Sequence, residues 1–572
     1  MSCYLISGCH RNRGWSDAYD ERVKGVVMKY TLVNPSKTKS SVHSNIFTTK
    51  VKCKIDDCLN LTFGTLDKCA LHCEKGDYRT DWYNGLLSEF TNLLNSYILR
   101  YFKDDYYSYK GLNHHANQLI YELKAYLNTS RDLYLSTVIE RFFCEIDIVF
   151  SGIRFPTRDS KDSFDYFKTL RMFKGIHFVN CEFYLDNLYI KNISFFFQNC
   201  YFNSNFTIHP ITLLDNDIDS LFSECTFDGW TRVIPTDDND SVENTLFSGC
   251  VFNSNLTICD MSISADIFDC EEDAKSRISN LTILSSVFKS SLKLNLMKIN
   301  KLCIEDTEFE SKFEIKNSVI NILEFRNSNV EKVFDSFESE FEKSYFYKSI
   351  FNGFAGFEGV KFGAVDKNTE EYQAKFIYTT FMSFSNFRNT KFLSGLDFEN
   401  SNLKEQPNFL KTIISPKNTN RETFRIIKKS FDDVGNQLEA NRFFVEEMNA
   451  YSKELIASDG NYSEKIVFFT NYITSSFGRS YIRPFLLLVL SLCFYVGSYE
   501  FYVAWYQSNI YILPEPIHTI AKYLNDGAKS FLPFSRFIQE RRGFEFISLI
   551  FYVLFAILTW QIIVAVKRHT QR

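Results

Sequence analysis

The run FQNCYFNSNFTI at 197–208 returns fifty residues on as FSGCVFNSNLTI at 247–258. Phe197, Phe222 and Phe247 stand 25 residues apart, and each is followed five residues later by Phe202, Phe227 or Phe252. The step of five continues in Phe178/Phe183, Ile283/Phe288, Ile304/Phe309, Phe325/Val330, Phe341/Phe346/Phe351, Phe357/Phe362, Phe376/Phe381, Phe387/Phe392 and Phe398/Leu403. A small residue precedes the large one by two positions: Cys181, Cys200, Cys225, Cys250, Ser286, Thr307, Ser328, Ser344, Ser349, Thr379, Ser385, Thr390 and Ser401. Neither the 3.6-residue period of a helix nor the alternation of a strand gives a step of five. A four-sided solenoid of ~20 residues per coil does, with each large side chain on the axis and the small one sharing the interior.

This pattern resembles the pentapeptide-repeat family over roughly 176–410, with insertions near 210–220, 234–243 and 266–279. The resemblance implies a mainly β fold, a right-handed quadrilateral β-helix at 176–412 flanked by helical segments. Cys181, Cys200, Cys225 and Cys250 occupy the slot that Ser or Thr fills elsewhere, so they are expected to be packing thiols rather than a metal ladder.

Composition agrees with a repeated packing position. Phe occurs 59 times in 572 residues, while Gly numbers 22 and Pro 10, which excludes collagen-like and Gly-rich disordered classes. Charged residues make up 23%, too many for a polytopic membrane protein. The net charge of −5 gives no generally basic surface, and no nucleic-acid partner is expected. Residues 176–410 carry 35 Asp and Glu against 20 Lys and Arg, read here as a solvated solenoid exterior. An acidic mimic of duplex DNA, as in some pentapeptide-repeat relatives, is the second alternative.

Ahead of the repeat, Cys53, Cys58, Cys69 and His72 form C-x4-C-x10-C-x2-H, two ligands on each of two short knuckles. Such spacing can close a tetrahedral structural zinc site at 49–80, with Cys73 open as the fourth ligand in place of His72. It looks like the Cys/His zinc knuckle that precedes some bacterial pentapeptide-repeat proteins. Residues 1–48 are weakly patterned, and 81–175 read as a helical cap with Leu86, Leu87, Phe90, Leu93, Leu94 and Ile98 at helical spacing. Fifteen scattered cysteines and no basic, apolar leader fit a reducing cytosol.

Behind the repeat, FRIIKKSFDDVGNQLEANRFFVEEMNAY (424–451) is similar to the helix pair after the solenoid in membrane-attached relatives, and a pair is predicted over 413–458. A juxtamembrane segment (459–483) leads to predicted spans at 484–506 and 544–566, joined by 507–543 and followed by a basic tail, 567–572. The joining loop carries an amphipathic stretch, Ile517–Leu524, and no K⁺-filter sequence. Glu500, the one charge inside a span, is placed at the interface. The expected location is the inner (cytoplasmic) membrane, with both termini cytosolic.

No G-x-x-x-x-G-K-[ST], G-x-S-x-G or H-E-x-x-H run occurs, and Gly353-x-x-Gly356-x-x-Gly359 is interleaved with repeat phenylalanines, so no enzyme is expected. The expected function is a membrane-anchored binding scaffold or sensor, its partners the lipid bilayer and a cytosolic protein, with homo-oligomerisation open. The first alternative is an oligomeric two-span channel or membrane-disrupting effector of stress or phage defence, gated by the β-helix.

Overall fold

The computed structural model describes residues 51–570 except 56–57, 76–84, 108–115, 129–135, 157–169, 171, 185–186, 190–193, 210–219, 236–240, 270–275, 368, 458–461, 508–514 and 530–542. The insertions expected near 210–220, 234–243 and 266–279 therefore lie largely outside the described residues, as do 1–48. The chain divides into two compact units. The first is Met1–Gly363 with Ile377–Lys391 and Ser401–Glu405; the second is Ala364–Phe376, Phe392–Asn400 and Gln406–Arg572.

In the first unit, helices α1 (Leu86–Tyr101), α2 (Ala116–Asn128) and α3 (Thr137–Glu145) lead into a solenoid of stacked parallel strands. A single π turn, Phe102–Tyr107, extends α1. Strand pairing puts each repeat residue on its counterpart: Phe178 on Phe197, Phe197 on Phe222, Phe222 on Phe247. Coil length varies, and a run of coils in the middle settles at 21 residues. Ile278, Ile299, Ile320, Phe341 and Phe362 lie in one column, and the cross-coil hydrogen bonds there span 21 residues. Pairing begins at Asp147, ahead of residue 176. That first coil has its own five-residue step, Phe150 and Phe155, both buried.

The phenylalanine excess forms two columns of rings. Phe155, Phe183, Phe202, Phe227 and Phe252 stack face to face with centroids 5.0, 5.0, 4.7 and 4.7 Å apart and ring planes within 13°. Phe150, Phe178, Phe197, Phe222 and Phe247 form the second stack. The two meet edge to face, as in Phe178–Phe183 at 86° and Phe247–Phe252 at 89°. Both geometries suit the ring quadrupole, and the ~4.8 Å strand spacing sets the stacking distance.

The small residue in each coil has a mechanical reason. It follows a corner where the backbone turns through the left-handed region: Asn180, Asn199, Glu224 and Gly249 precede the four Cys, and Ser285, Asp306, Asn327 and Lys348 precede Ser286, Thr307, Ser328 and Ser349. Such a corner leaves carbonyls facing inward, and the small side chain donates to one of them. Cys200 Sγ donates to Phe178 O (3.3 Å), Cys225 Sγ to Phe197 O (3.4 Å) and Cys250 Sγ to Phe222 O (3.3 Å). Thr390 Oγ1 does the same to Phe357 O at 2.7 Å. The four thiols are thus buried donors in the Ser/Thr role.

The glycine motif is structural too. A Cβ on Gly353 would fall on the Lys332 carbonyl, and Gly359 (φ 72°) is itself a left-handed corner. On the outside, carboxylates accept from amides one coil on: Asn203 to Glu182 (2.6 Å), Asn253 to Asp228 (2.6 Å), Asn352 to Glu331 (2.7 Å). These carboxylates are part of the ladder.

In the second unit, α4 (Arg421–Asp433) and α5 (Gln437–Ala457) pack through Phe431 and Phe443, whose rings lie 5.6 Å apart. The Asn420 side chain caps α4 by accepting from Thr423 N at 2.9 Å. Among the described residues, four further helices follow: α6 (Tyr462–Ser475), α7 (Ile482–Gln507), α8 (Glu515–Lys529) and α9 (Glu545–Thr570). Helices α7 and α9 are each long and apolar enough to cross a membrane over 24 residues, ~36 Å of rise. They touch through Tyr495, whose hydroxyl lies 3.0 Å from Ser548 Oγ and 3.4 Å from Tyr552 Oη. Glu500 is exposed on α7.

Candidate metal centre

Residues 51–75 form two short pieces that face each other. The first is a hairpin, held by the Lys52–Leu61 bridge and by Cys53 N donating to Asn60 O at 2.9 Å. The second is one helical turn, in which His72 N and Cys73 N both donate to Cys69 O, at 3.0 and 2.9 Å. That turn places Cys69 and His72, three apart, on one side. Cys69 N donates to Cys53 Sγ at 3.4 Å and joins the pieces.

The result brings together the four residues expected from spacing. Cys53, Cys58, Cys69 and His72 are all buried, and their ligand atoms lie within 4.8 Å of one another. Cys58 Sγ is 3.8 Å from Cys69 Sγ, and His72 Nδ1 is 3.5 Å from Cys53 Sγ and 3.4 Å from Cys69 Sγ. A tetrahedron built on Zn–S and Zn–N bond lengths needs S···S edges of ~3.8 Å and S···N edges of ~3.5 Å. Three of the six edges match that polyhedron, and the other three are no longer than 4.8 Å. Cys73 faces elsewhere: its Sγ lies 3.9 Å from Ala70 O and 3.5 Å from Lys75 Nζ.

The electrostatics favour a thiolate at the centre. The Cys69 thiol is held far down, to about 3, by the bond from Cys58 and then by His72. Cys58 is pushed up by the same contact with Cys69 and by burial. Two residues here were not legible in advance. Lys75 is 1% exposed, donates to Cys73 O at 2.8 Å and sits over the Phe90 ring at 5.4 Å. Burial lowers its pKa to about 8, while Cys73 and Cys69 oppose the shift. Asn60 Nδ2 reaches Cys69 Sγ at 3.8 Å. Neither residue belongs to a ligand motif, and only the folded geometry brings them in.

The centre sits against the first coil. Leu71 O accepts from Arg154 N at 2.9 Å, and Arg154 forms an ion pair with Glu74 at 3.6 Å. Helix α1 lies alongside: Phe90 meets Phe155 edge to face at 5.9 Å, Tyr97 packs on Phe150 at 5.3 Å, and Tyr97 Oη donates to Val149 O at 2.7 Å. No family model, no curated protein and no solved structure matches the chain.

Proposed function

We propose that the chain is a membrane-anchored, non-enzymatic solenoid protein of the pentapeptide-repeat type, whose β-helix offers a binding surface to a cytosolic protein partner. One observation carries the anchoring. Only 6% and 11% of the apolar windows of α7 and α9 are buried inside the protein, so these are not core helices that merely resemble spans. A surface of this kind is stable in hydrocarbon and costly in water. The expected setting is the inner membrane, with solenoid and termini on the cytosolic side.

In the same reading, Cys53, Cys58, Cys69 and His72 hold a structural zinc that closes the N-terminal end of the solenoid. Three thiolates and a neutral imidazole leave such a centre at −1, and the buried Lys75 beside it supplies the compensating charge. The scaffold ranks above a water-filled pore because two polar side chains of the spans, Gln561 and Tyr495, are engaged within the protein. The Gln561 amide is bonded to Asn471 and Ser475, and Tyr495 is bonded to Ser548. It ranks above a DNA mimic because some of the carboxylates, Glu182, Asp228 and Glu331 among them, already serve the inter-coil ladder.

The test is alkaline carbonate extraction of membranes carrying the full chain, with elemental analysis of the purified protein. Retention in the pellet together with about one zinc per chain supports both parts. Release into the supernatant would end the anchoring, and a metal-free preparation under reducing conditions would end the zinc centre.

A further inference from the structure

Helix α6 is built inside out. Tyr462, Ile466, Phe469 and Ile473 recur at i, i+4, i+7 and i+11, and they are 84%, 66%, 63% and 47% exposed. Asn471 and Ser475 point the other way. Asn471 Oδ1 accepts from Gln561 Nε2 at 2.9 Å, and Ser475 Oγ donates to Gln561 Oε1 at 2.9 Å. Phe468, on that inner side, meets Tyr451 of α5 at 5.5 Å and Phe477 at 4.7 Å. A helix in water turns its apolar stripe inward; this one turns it outward and fastens its polar side to α9.

The attachment is rigid and has a defined height. Three successive left-handed residues, Ser476, Phe477 and Gly478, reverse the chain between α6 and α7. The Arg568 guanidinium donates to Phe477 O, and Gly478 N donates to Ser475 Oγ at 3.0 Å. At the other end of α9, α8 is held in the same way. Asn525 Oδ1 accepts from Phe546 N at 2.8 Å, and Asn525 Nδ2 donates to Gly543 O at 3.1 Å. Helix α8 also shows an apolar stripe, with Ile517 51%, Ile520 60% and Leu524 42% exposed. From Phe546 to Gln561 the rise along α9 is ~22 Å, against a hydrocarbon core of ~30 Å. Two helices fixed at those heights sit ~4 Å inside either boundary, the depth at which amphipathic helices lie.

We propose that α6 is an in-plane membrane helix whose Tyr462–Ile473 stripe contacts the acyl chains of the leaflet at the C-terminal end of α9, with α8 as its counterpart in the opposite leaflet. This rests on the anchoring proposed above. The occupant is lipid rather than a second copy, because α7, a proposed span that starts seven residues after α6 ends, exposes Ile482, Phe485 and Leu486 in the same way.

The full chain is reconstituted in phosphatidylcholine–phosphatidylglycerol vesicles doped with a lipid carrying a diazirine on its acyl chain. After photolysis, adducts are mapped by peptide mass spectrometry. The expected result is labelling of 462–475 along with both spans. In Ile466→Glu/Phe469→Glu, labelling of 462–475 should fall about tenfold, the factor ~1.4 kcal/mol produces, while the spans label as before. Labelled spans with an unlabelled α6 would overturn the proposal and leave the anchoring intact. If no segment is labelled, both fail.

Discussion

Replacing Phe227 by alanine tests the ring columns at their most enclosed point. Phe227 is 1% exposed and has rings on both faces, Phe202 and Phe252, each with its centroid 4.7 Å away. The edges of Phe222 and Phe247 close the sides at 5.4 and 6.0 Å. Truncating a buried Phe costs ~3–5 kcal/mol in lost transfer free energy and cavity formation. The upper part of that range applies here, because the strand ladder holds the neighbouring coils at ~4.8 Å and the cavity cannot collapse. Each lost ring pair adds ~0.5–1.5 kcal/mol beyond area.

Phe252 is the control. Its far neighbour in the register is Ile278, so it loses a ring on one face only. Phe227→Ala should therefore cost about 1 kcal/mol more than Phe252→Ala. Hydrogen exchange of the full chain in detergent reads this coil by coil, since solenoid coils open locally with their neighbours. Protection at 201–208 and 251–258 should fall by about a thousandfold in Phe227→Ala, the equivalent of ~4 kcal/mol. A loss under about fivefold, or a larger loss in Phe252→Ala, would refute the stacked-column account.

Other substitutions probe single elements. Cys225→Ser keeps a small donor toward Phe197 O and should change stability by under ~1 kcal/mol, whereas Cys225→Leu should cost ~1–3 kcal/mol by overpacking; denaturant midpoints separate the two. Gly353→Ala, with its Cβ on the Lys332 carbonyl, should cost at least ~3 kcal/mol, and thermal unfolding checks it. Cys69→Ser should leave the purified chain without bound zinc while Cys73→Ala retains it, as read by elemental analysis.

The legible part of this molecule is what side-chain chemistry alone controls. Interior phenylalanines and the small donors before them must recur at every coil, so the step of five survives in the sequence. The four metal-site residues were legible because two short ligand pairs leave a fixed spacing. The corners were not, because the ladder imposes the left-handed backbone on whatever stands there. Asn180 suits that region, but Glu224, Leu296, Lys348 and Tyr378 adopt it as well. The first coil was hidden because Phe150 and Phe155 stand 28 residues from their partners Phe178 and Phe183, against steps of 19 and 25 in the coils that follow directly. Gln561 reads in sequence as a polar group seeking water, and only the fold reveals Asn471 and Ser475 beside it. The stripe on α6 is plain in retrospect, yet its direction depends on that same contact.

Parallel coils leave a problem that the flanking segments answer. Every solenoid ends in strands with unpaired donors and acceptors, which are templates for aggregation unless covered. In the first unit the cover is the metal-site segment with α1. Leu71 O takes the Arg154 N–H, and the Tyr97 and Tyr101 hydroxyls reach the Val149 and Asp147 carbonyls at 2.7 and 3.2 Å. In the second unit the cover is the start of α4. Leu396 N donates to Thr419 Oγ1 at 3.1 Å and Phe398 N to Thr423 Oγ1 at 2.8 Å, where another coil would have offered carbonyls. The two covers differ in what holds them. Helix α4 rests on α5 through a ring stack and carries its own cap. The 51–75 segment has little apolar core beyond its four ligand residues and Leu71, so its order depends on what those ligands hold. Leu71 is two residues from Cys69 and one from His72, which ties the carbonyl that covers the first coil directly to the cluster.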